Sequence, residues 1–140
     1  MATSIAWGSK QTATTAGARR YLGYGVHSNR TATTNDRTSR HRVAEASARL
    51  CELHCEWQKR NGTLGQIRFG IDRLSIDGAR ETIAEATGAG DFASGNQTVR
   101  SVGLNVPVQG GDRLIAWVQG DDSTGFSVSP QYLQVQAVLR

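Results

Sequence analysis

The stretch that decides the fold class is Ile67-Arg-Phe-Gly-Ile-Asp-Arg-Leu-Ser-Ile-Asp-Gly78. Its apolar residues occupy every second position from Ile67 to Ile71, which is the period of a β-strand with one buried face. Asp77-Gly78 follows as a strong hairpin signal, because both residues tolerate the positive φ that tight turns require. We therefore predict a strand, a tight turn and a returning strand over residues 80–86.

The two-residue period continues along the chain after this hairpin. Apolar residues alternate in three further segments, which are 102–106, 114–118 and 131–139. Gly-rich or polar stretches at 87–96, 109–112 and 120–125 separate them. In the middle segment Leu114, Ala116 and Val118 would face one way, and Ile115 and Trp117 the other. Short strands at this spacing predict an all-β, antiparallel sandwich or barrel.

Residues 43–60 fit two kinds of secondary structure. Leu50, Leu53 and Trp57 have the spacing of an amphipathic helix that Asn61-Gly62 would end. As a strand, the segment divides into an apolar and a polar face, namely Cys51, Leu53, Cys55 and Trp57 against Glu52, His54, Glu56 and Gln58. Every later segment has the strand period, so we predict a strand here as well.

The first 42 residues differ in composition from the rest. They are rich in Thr and Ser and contain seven Lys and Arg residues against one acid, whereas residues 43–140 contain nine basic and eleven acidic residues. The net charge of +4 therefore comes from the N-terminal segment. We predict an extended basic arm over 1–42, in which only 21–26 could form a strand, and a sandwich domain over 43–140.

No residue pattern predicts catalysis, a cofactor or a bound metal. The three histidines are scattered, and none has the spacing of a catalytic triad or a metal site. Cys51 and Cys55 would lie about 13 Å apart on one strand face, too far for a disulfide. We expect both to be small, reduced core residues of a soluble protein made in a cytoplasm, since no signal peptide or membrane span is evident.

The order of these segments carries a family resemblance. The pieces are a small-apolar strand over 48–57, Asn61-Gly62, a strand with Phe69, Asp77-Gly78, a Gly/Ala/Ser loop, Val102–Val108, Gly111–Trp117 and a last strand over 133–139. This order resembles the jelly-roll modules of tailed-phage virions, in capsid decoration proteins, head fibres and tail-associated subunits. It is more distantly similar to the trimeric tumour-necrosis-factor-like jelly rolls. The resemblance covers about residues 43–140 and implies a jelly-roll β-sandwich that trimerises and attaches to a virion.

This resemblance implies a phage virion structural protein that is not an enzyme. The leading hypothesis is a homotrimeric capsid decoration or cement protein, which docks on the major capsid protein or another virion protein and stabilises the shell. The arm would lie along an acidic shell surface, because aromatic and Arg side chains dominate such contacts. Its predicted partner-binding residues are Trp7, Arg19, Arg20, Tyr21, Leu22, Tyr24, Arg37, Arg40 and Arg42. We expect no membrane partner.

Three alternatives stay open at this point. Within the structural class, the chain could be a tail, collar or fibre subunit. The sandwich could instead bind a host glycan with Trp117 or Tyr132 in a groove, although a core or interface position is more usual for Trp117. The arm could be a solvated tail or follow a nucleic-acid backbone, but its modest charge density favours a protein partner over nucleic acid.

Overall fold

The computed structural model describes residues 3–9, 12–14, 19–24, 31–32, 40–61, 67–88, 95–120 and 126–140. Eleven β-strands lie within these residues. They are β1 (Thr3–Ser9), β2 (Thr12–Thr14), β3 (Arg19–Tyr24), β4 (Thr31–Ala32), β5 (His41–Arg42), β6 (Ser47–Asn61), β7 (Ile67–Leu74), β8 (Arg80–Gly88), β9 (Gly95–Gln109), β10 (Arg113–Gly120) and β11 (Phe126–Leu139). No helix among the described residues has the length and hydropathy that a membrane span needs.

The strands pair in the order β8-β7-β10-β3-β1-β11-β6-β9, and β2, β4 and β5 attach to β11, β3 and β10. We call β1-β11-β6-β9 sheet I and β3-β10-β7-β8 sheet II; they meet where β1 pairs with β3. From β6 onward the chain crosses between the sheets, because β7, β8 and β10 belong to sheet II whereas β9 and β11 belong to sheet I. All the described pairings are antiparallel, so the predicted all-β antiparallel jelly roll is confirmed.

The hydrophobic core lies between the two sheets. Alternate residues of both sheets form one buried cluster, which includes Ile5, Trp7, Leu53, Cys55, Val135 and Ala137 from sheet I and Leu22, Phe69, Ile71, Leu114, Ala116 and Val118 from sheet II. Ile115 and Trp117 are buried too but lie outside this cluster. As predicted, Leu114, Ala116 and Val118 thus lie on one face of this strand, and Ile115 and Trp117 lie on the other.

The ambiguous segment is a strand, as predicted. β6 pairs with β9 on one side and β11 on the other, and its register shifts between Leu50 and Glu52. This bulge places both Leu50 and Leu53 in the core, three residues apart. It also leaves Cys51 half-exposed, although a regular strand would have placed it beside Leu53.

The structure corrects the predicted division at residue 42. β1 pairs with the last strand from Thr3↔Leu139 to Ser9↔Leu133, and β3 pairs with β10. Trp7 and Leu22 are fully buried in the core. Because burying a large apolar side chain contributes roughly 1.5–3 kcal/mol, these strands are stabilised as parts of the sandwich. The possible strand over 21–26 is present over 21–24 within β3, but the prediction that 1–42 is an arm outside the sandwich is wrong for β1 and β3. The remaining positions of 1–42 lie outside the described residues, apart from β2, β4 and 40–42.

The predicted Asp77-Gly78 hairpin joins β7 to β8. Gly78 adopts a φ of +94°, and its amide donates to the Ser75 carbonyl oxygen at 3.0 Å. The Asp77 carboxylate accepts hydrogen bonds from the Ser75 hydroxyl and from the Ala79 amide. These two bonds favour the charged carboxylate and lower the pKa of Asp77.

Candidate functional site

A buried carboxylate lies on the outer face of sheet II. Asp72 of β7 is only 3% exposed. Its carboxylate accepts hydrogen bonds from the Trp117 indole Nε1 at 2.9 Å, the Tyr21 hydroxyl at 2.8 Å and the Thr82 hydroxyl at 2.7 Å. These donors come from β10, β3 and β8, so one side chain links all four strands of sheet II.

Two guanidinium groups compensate the charge of Asp72. Arg19 Nη1 lies 3.3 Å from its Oδ1, and Arg80 Nη2 lies 3.5 Å from its Oδ2. Each arginine also covers an aromatic ring: Arg19 Cζ is 3.8 Å from the Trp117 ring centroid, and Arg80 Cζ is 4.9 Å from that of Tyr21. A buried charge is tolerated when it is paired and hydrogen-bonded in this way, and removing one member would leave the others uncompensated.

Trp117 is buried on this outer face because Gly70 lies opposite it on β7. A Cβ at Gly70 would be 2.6 Å from Trp117 Cζ2 and 2.5 Å from the carbonyl oxygen of Ala84. An indole held between Gly70 and Arg19 presents no free face to a sugar, so Trp117 does not form the glycan groove of the alternative hypothesis. The side chain of Tyr132 lies outside the description.

Four of the nine predicted partner-binding residues have partners within this chain. Arg19 and Tyr21 bind Asp72, as described above. Trp7 and Leu22 are fully buried core residues and cannot be apolar anchors on a shell. The interpretation of these four as an exposed docking arm is wrong, because the chain folds the strands that carry them into its own sheets.

The other five predicted residues have separate outcomes. Arg20 and Tyr24 belong to β3, and for these two residues the structure describes the backbone but not the side chain. Arg37 lies outside the described residues. Arg40 is half-buried, and Arg42 is exposed on β5. Among the described members of the set, Arg19 and Arg42 are exposed cations, and Arg19 is already paired with Asp72.

The outer face of sheet I is polar; we call it the polar face. Glu52, His54 and Glu56 of β6 lie opposite Val138, Gln136 and Gln134 of β11. Strand β1, which pairs with β11, adds the small residues Ser4, Ala6 and Gly8 opposite the same three β11 residues. Several of these side chains are withdrawn from water, since Gln134 is buried and the three β6 residues are half-buried. This face is the one predicted for 43–60.

His54 is the central titratable group of the polar face. Its Nδ1 lies 3.5 Å from a Glu52 carboxylate oxygen, is buried, and has no hydrogen-bond partner in the described part of the chain. No group of three His, Cys, Asp or Glu residues that could hold a metal ion occurs among the described residues. A contact between one histidine and one carboxylate does not by itself form a catalytic or metal-binding constellation.

The two cysteines are free, and they differ in environment. Cys55 is fully buried, and this burial, with the neighbouring Glu56 charge, strongly raises the pKa of its thiol. Cys51 is half-exposed at the β6 bulge, and its thiol donates to the Arg49 carbonyl oxygen at 3.3 Å. The expectation of a small core residue is met by Cys55 and is wrong for Cys51.

A pocket of about 740 Å³ opens beside the start of β10. It lies between β5, the β7–β8 hairpin and the turn that joins β9 to β10. The residues that line it include Arg42, Val43, Ile76, Gly110, Gly111 and Arg113. Among these, Arg42 alone is a predicted partner-binding residue. Asp72 was also missed, because an Asp at a polar strand position is ordinary for a solvated face.

Neither a protein-family model nor a curated protein matches this sequence. Solved structures match its fold. The chain is similar to the structure of Eiger TNF from S. frugiperda, with 15% identity, a TM-score of 0.57, and coverage of 99% of this chain and 90% of that one. Murine APRIL crystal structures at pH 8.0 and pH 8.5 are similar at 14% identity, with TM-scores of 0.54 and 0.50. They cover 99% and 97% of this chain, and each is itself covered over 98%.

At these identities the likeness shows the fold alone. It agrees with the distant resemblance to tumour-necrosis-factor-like jelly rolls that the sequence carries. The link to phage virions stays a prediction.

Proposed function

We propose that this protein is a non-enzymatic structural subunit of a tailed-phage virion, a capsid decoration or cement protein. In this proposal it forms a homotrimer, docks on the major capsid protein and stabilises the shell. A subunit that binds only the assembled shell raises shell stability by mass action. Support comes from the jelly-roll fold, from the sequence resemblance to virion modules, and from the more distant resemblance to trimeric tumour-necrosis-factor-like jelly rolls.

The observation that carries the homotrimer is the polar face of sheet I. A solvated sheet face normally carries long, hydrated side chains, whereas here Gln134 and His54 Nδ1 are already buried within one chain. The small residues Ser4, Ala6 and Gly8 have little side-chain bulk and would let another copy approach this face closely. A surface that is partly desolvated in the monomer loses less hydration when a second copy covers it.

The docking mechanism differs from an arm laid along the shell. Because Trp7, Leu22, Arg19 and Tyr21 are engaged inside the chain, capsid contacts must come from exposed cations such as Arg42 and from positions of 1–42 outside the described residues. The segment still carries the basic excess of the chain. An acidic surface on the capsid protein would match it.

The homotrimer is tested by light scattering on the purified protein. We expect a mass three times the 15.1 kDa of one chain. Ala6→Glu places a charge among the small residues of the polar face and should give monomers. Thr87→Glu is the matched control, because Thr87 is exposed on β8 of sheet II. A wild-type monomer at all concentrations, or a trimer that tolerates Ala6→Glu, would contradict the proposed interface.

The virion role is tested by locating the chain in particles. A cryo-electron-microscopy reconstruction of the phage should place trimers of this fold on the outer surface of the capsid. Adding purified protein to shells that lack it should raise the temperature at which the shells break. Density on the tail, collar or a fibre would support the alternative within the same class, and absence of the chain from particles would rule out both.

A further inference from the structure

The pocket beside β10 has an unusual charge arrangement. Arg42 of β5 and Arg113 of β10 are directly opposite each other in the antiparallel pair. Like charges at directly opposite positions of a sheet destabilise it. Neither guanidinium makes an ion pair or hydrogen bond with the described part of the chain, and Arg113 Nε is buried without a partner.

Three other arginines of the sandwich are paired with carboxylates. Arg19 and Arg80 contact Asp72, and Arg73 pairs with Glu81. His41, which precedes Arg42, adds little positive charge at neutral pH, because burial lowers its pKa and outweighs the opposite effect of Glu45. The positive charge of the pocket therefore comes from two uncompensated guanidinium groups.

The backbone around the pocket is already satisfied. The Gly111 amide donates to the Val43 carbonyl oxygen at 2.9 Å, and the Gly110 amide donates to that of Ala46 at 3.0 Å. In return, the Val43 amide donates to the Asp112 carbonyl oxygen at 2.8 Å. These bonds hold the backbone beside the pocket in place and occupy its amide groups. The guanidinium N–H groups of the two arginines are then the donors available to a ligand. A ligand that offers only acceptors, such as a carboxylate, matches them.

An apolar wall lies next to the arginines. Ile76, in the β7–β8 hairpin, is the exposed large hydrophobic residue of the described chain, at 69% exposure. Its side chain lies over Gly111, since a Cβ built there would be 2.9 Å from Ile76 Cδ1. Gly111 also has a φ of +91°, which glycine adopts without strain. The pocket thus combines two cations with one apolar contact.

We propose that this pocket binds an acidic segment of a partner protein. Carboxylates of the segment pair with Arg42 and Arg113, and an adjacent apolar side chain packs on Ile76. Arginines beside an apolar contact are typical of the residues that dominate protein interfaces. The inference rests on the proposed function, because it names the residues by which the subunit holds the capsid protein.

The test uses the peptide acetyl-Leu-Asp-Glu-amide and its uncharged analogue acetyl-Leu-Asn-Gln-amide. Each is titrated into the ¹⁵N-labelled full-length protein while the backbone amides of Gly110, Gly111 and Ile76 are followed by NMR. We expect saturable shifts with the acidic peptide and about ten-fold weaker binding of the analogue. Arg42→Gln and Arg113→Gln should each weaken the acidic peptide several-fold. Arg49→Gln, at an exposed arginine that hydrogen-bonds Asn105 on sheet I, is the control and should not.

A second variant tests the apolar contact independently of charge. Ile76→Ala should remove the preference for the leucine peptide over acetyl-Gly-Asp-Glu-amide, and it leaves the hairpin backbone bonds in place. Equal binding of acidic and uncharged peptides, or insensitivity to both arginine variants, would overturn the proposal. Stronger competition by a short DNA oligonucleotide would overturn it in favour of nucleic acid. A pocket that binds the peptide in a protein absent from particles would refute the virion role alone.

Discussion

Replacing Asp72 by alanine tests the cluster that attaches β3 to the rest of sheet II. The change removes the acceptor of three hydrogen bonds and the partner of two arginines. Breaking a buried ion pair costs about 3–5 kcal/mol. The side chains of Arg19 and Arg80 are about one-third exposed and can be rehydrated, so we expect a cost at the lower end of this range. The buried Trp117 Nε1 cannot be rehydrated, and an unsatisfied donor costs about 1–3 kcal/mol.

We therefore expect Asp72→Ala to lower the free energy of unfolding by about 3 kcal/mol. Asp72→Asn keeps an acceptor oxygen for Trp117 and should cost less. The assay is urea unfolding followed by tryptophan fluorescence, in which the midpoint should fall while the slope stays constant. Glu81→Ala is the matched control. Its carboxylate is 58% exposed in a pair with Arg73 on the same sheet, so its loss should cost less than about 1 kcal/mol.

A double-mutant cycle with Tyr21→Phe separates the cluster from general packing. Tyr21 and Asp72 are joined by a 2.8 Å hydrogen bond, so their effects should be coupled by more than about 0.5 kcal/mol. The reasoning would be refuted if Asp72→Ala were as mild as Glu81→Ala, or if the cycle gave no coupling. Either result would mean that β3 is held without this carboxylate.

Four further outcomes follow from the same structure. Trp7→Ala should destabilise the protein by about 3–5 kcal/mol in urea unfolding, and removal of residues 1–42 should leave a chain without a cooperative transition, because Trp7 and Leu22 are core residues. Gly70→Ala should cost about 1–3 kcal/mol in the same assay, since the added Cβ meets backbone at Ala84. The pKa of Asp77 is lower in the folded than in the unfolded protein, so this carboxylate stabilises the fold above its ordinary pKa of 3.8. The stabilisation is lost as the pH falls through the folded pKa. In Asp77→Ala, the unfolding midpoint should therefore depend less on pH in this acidic range. A fully stable truncated body, a neutral Gly70→Ala or an unchanged acid profile would each contradict the contact concerned.

The bulge in β6 explains why residues 43–60 fitted a helix as well as a strand. A regular strand would separate core residues by two positions, but the register shift places Leu50 and Leu53 three apart on the same side. That spacing also occurs in helices. Local pattern alone could not separate these cases, because the bulge depends on the pairing with β9.

The N-terminal segment shows the limit of composition as evidence. Composition alone predicts that Arg19 is a solvated cation. In the structure it hydrogen-bonds Asp72, which lies 53 residues away in the chain. Trp7 has few apolar neighbours in sequence, yet β11 at the other end of the chain covers it through the Trp7↔Val135 pair. A segment rich in charged residues and Thr can therefore contribute side chains to the hydrophobic core when it pairs with strands that are distant in sequence.

The amino-acid sequence by itself predicted strands within β6 to β11, the Asp77-Gly78 hairpin and an all-β sandwich or barrel, because alternation and turn chemistry depend on a few neighbouring residues. The jelly roll was implied by the family resemblance. Only the tertiary structure decided that β1 and β3 are inside the sandwich, that Asp72 accepts hydrogen bonds from three other strands, and that Arg42 lies opposite Arg113 beside a pocket. Those features depend on which strands become neighbours in space, and that choice is made by burial and pairing over the whole chain.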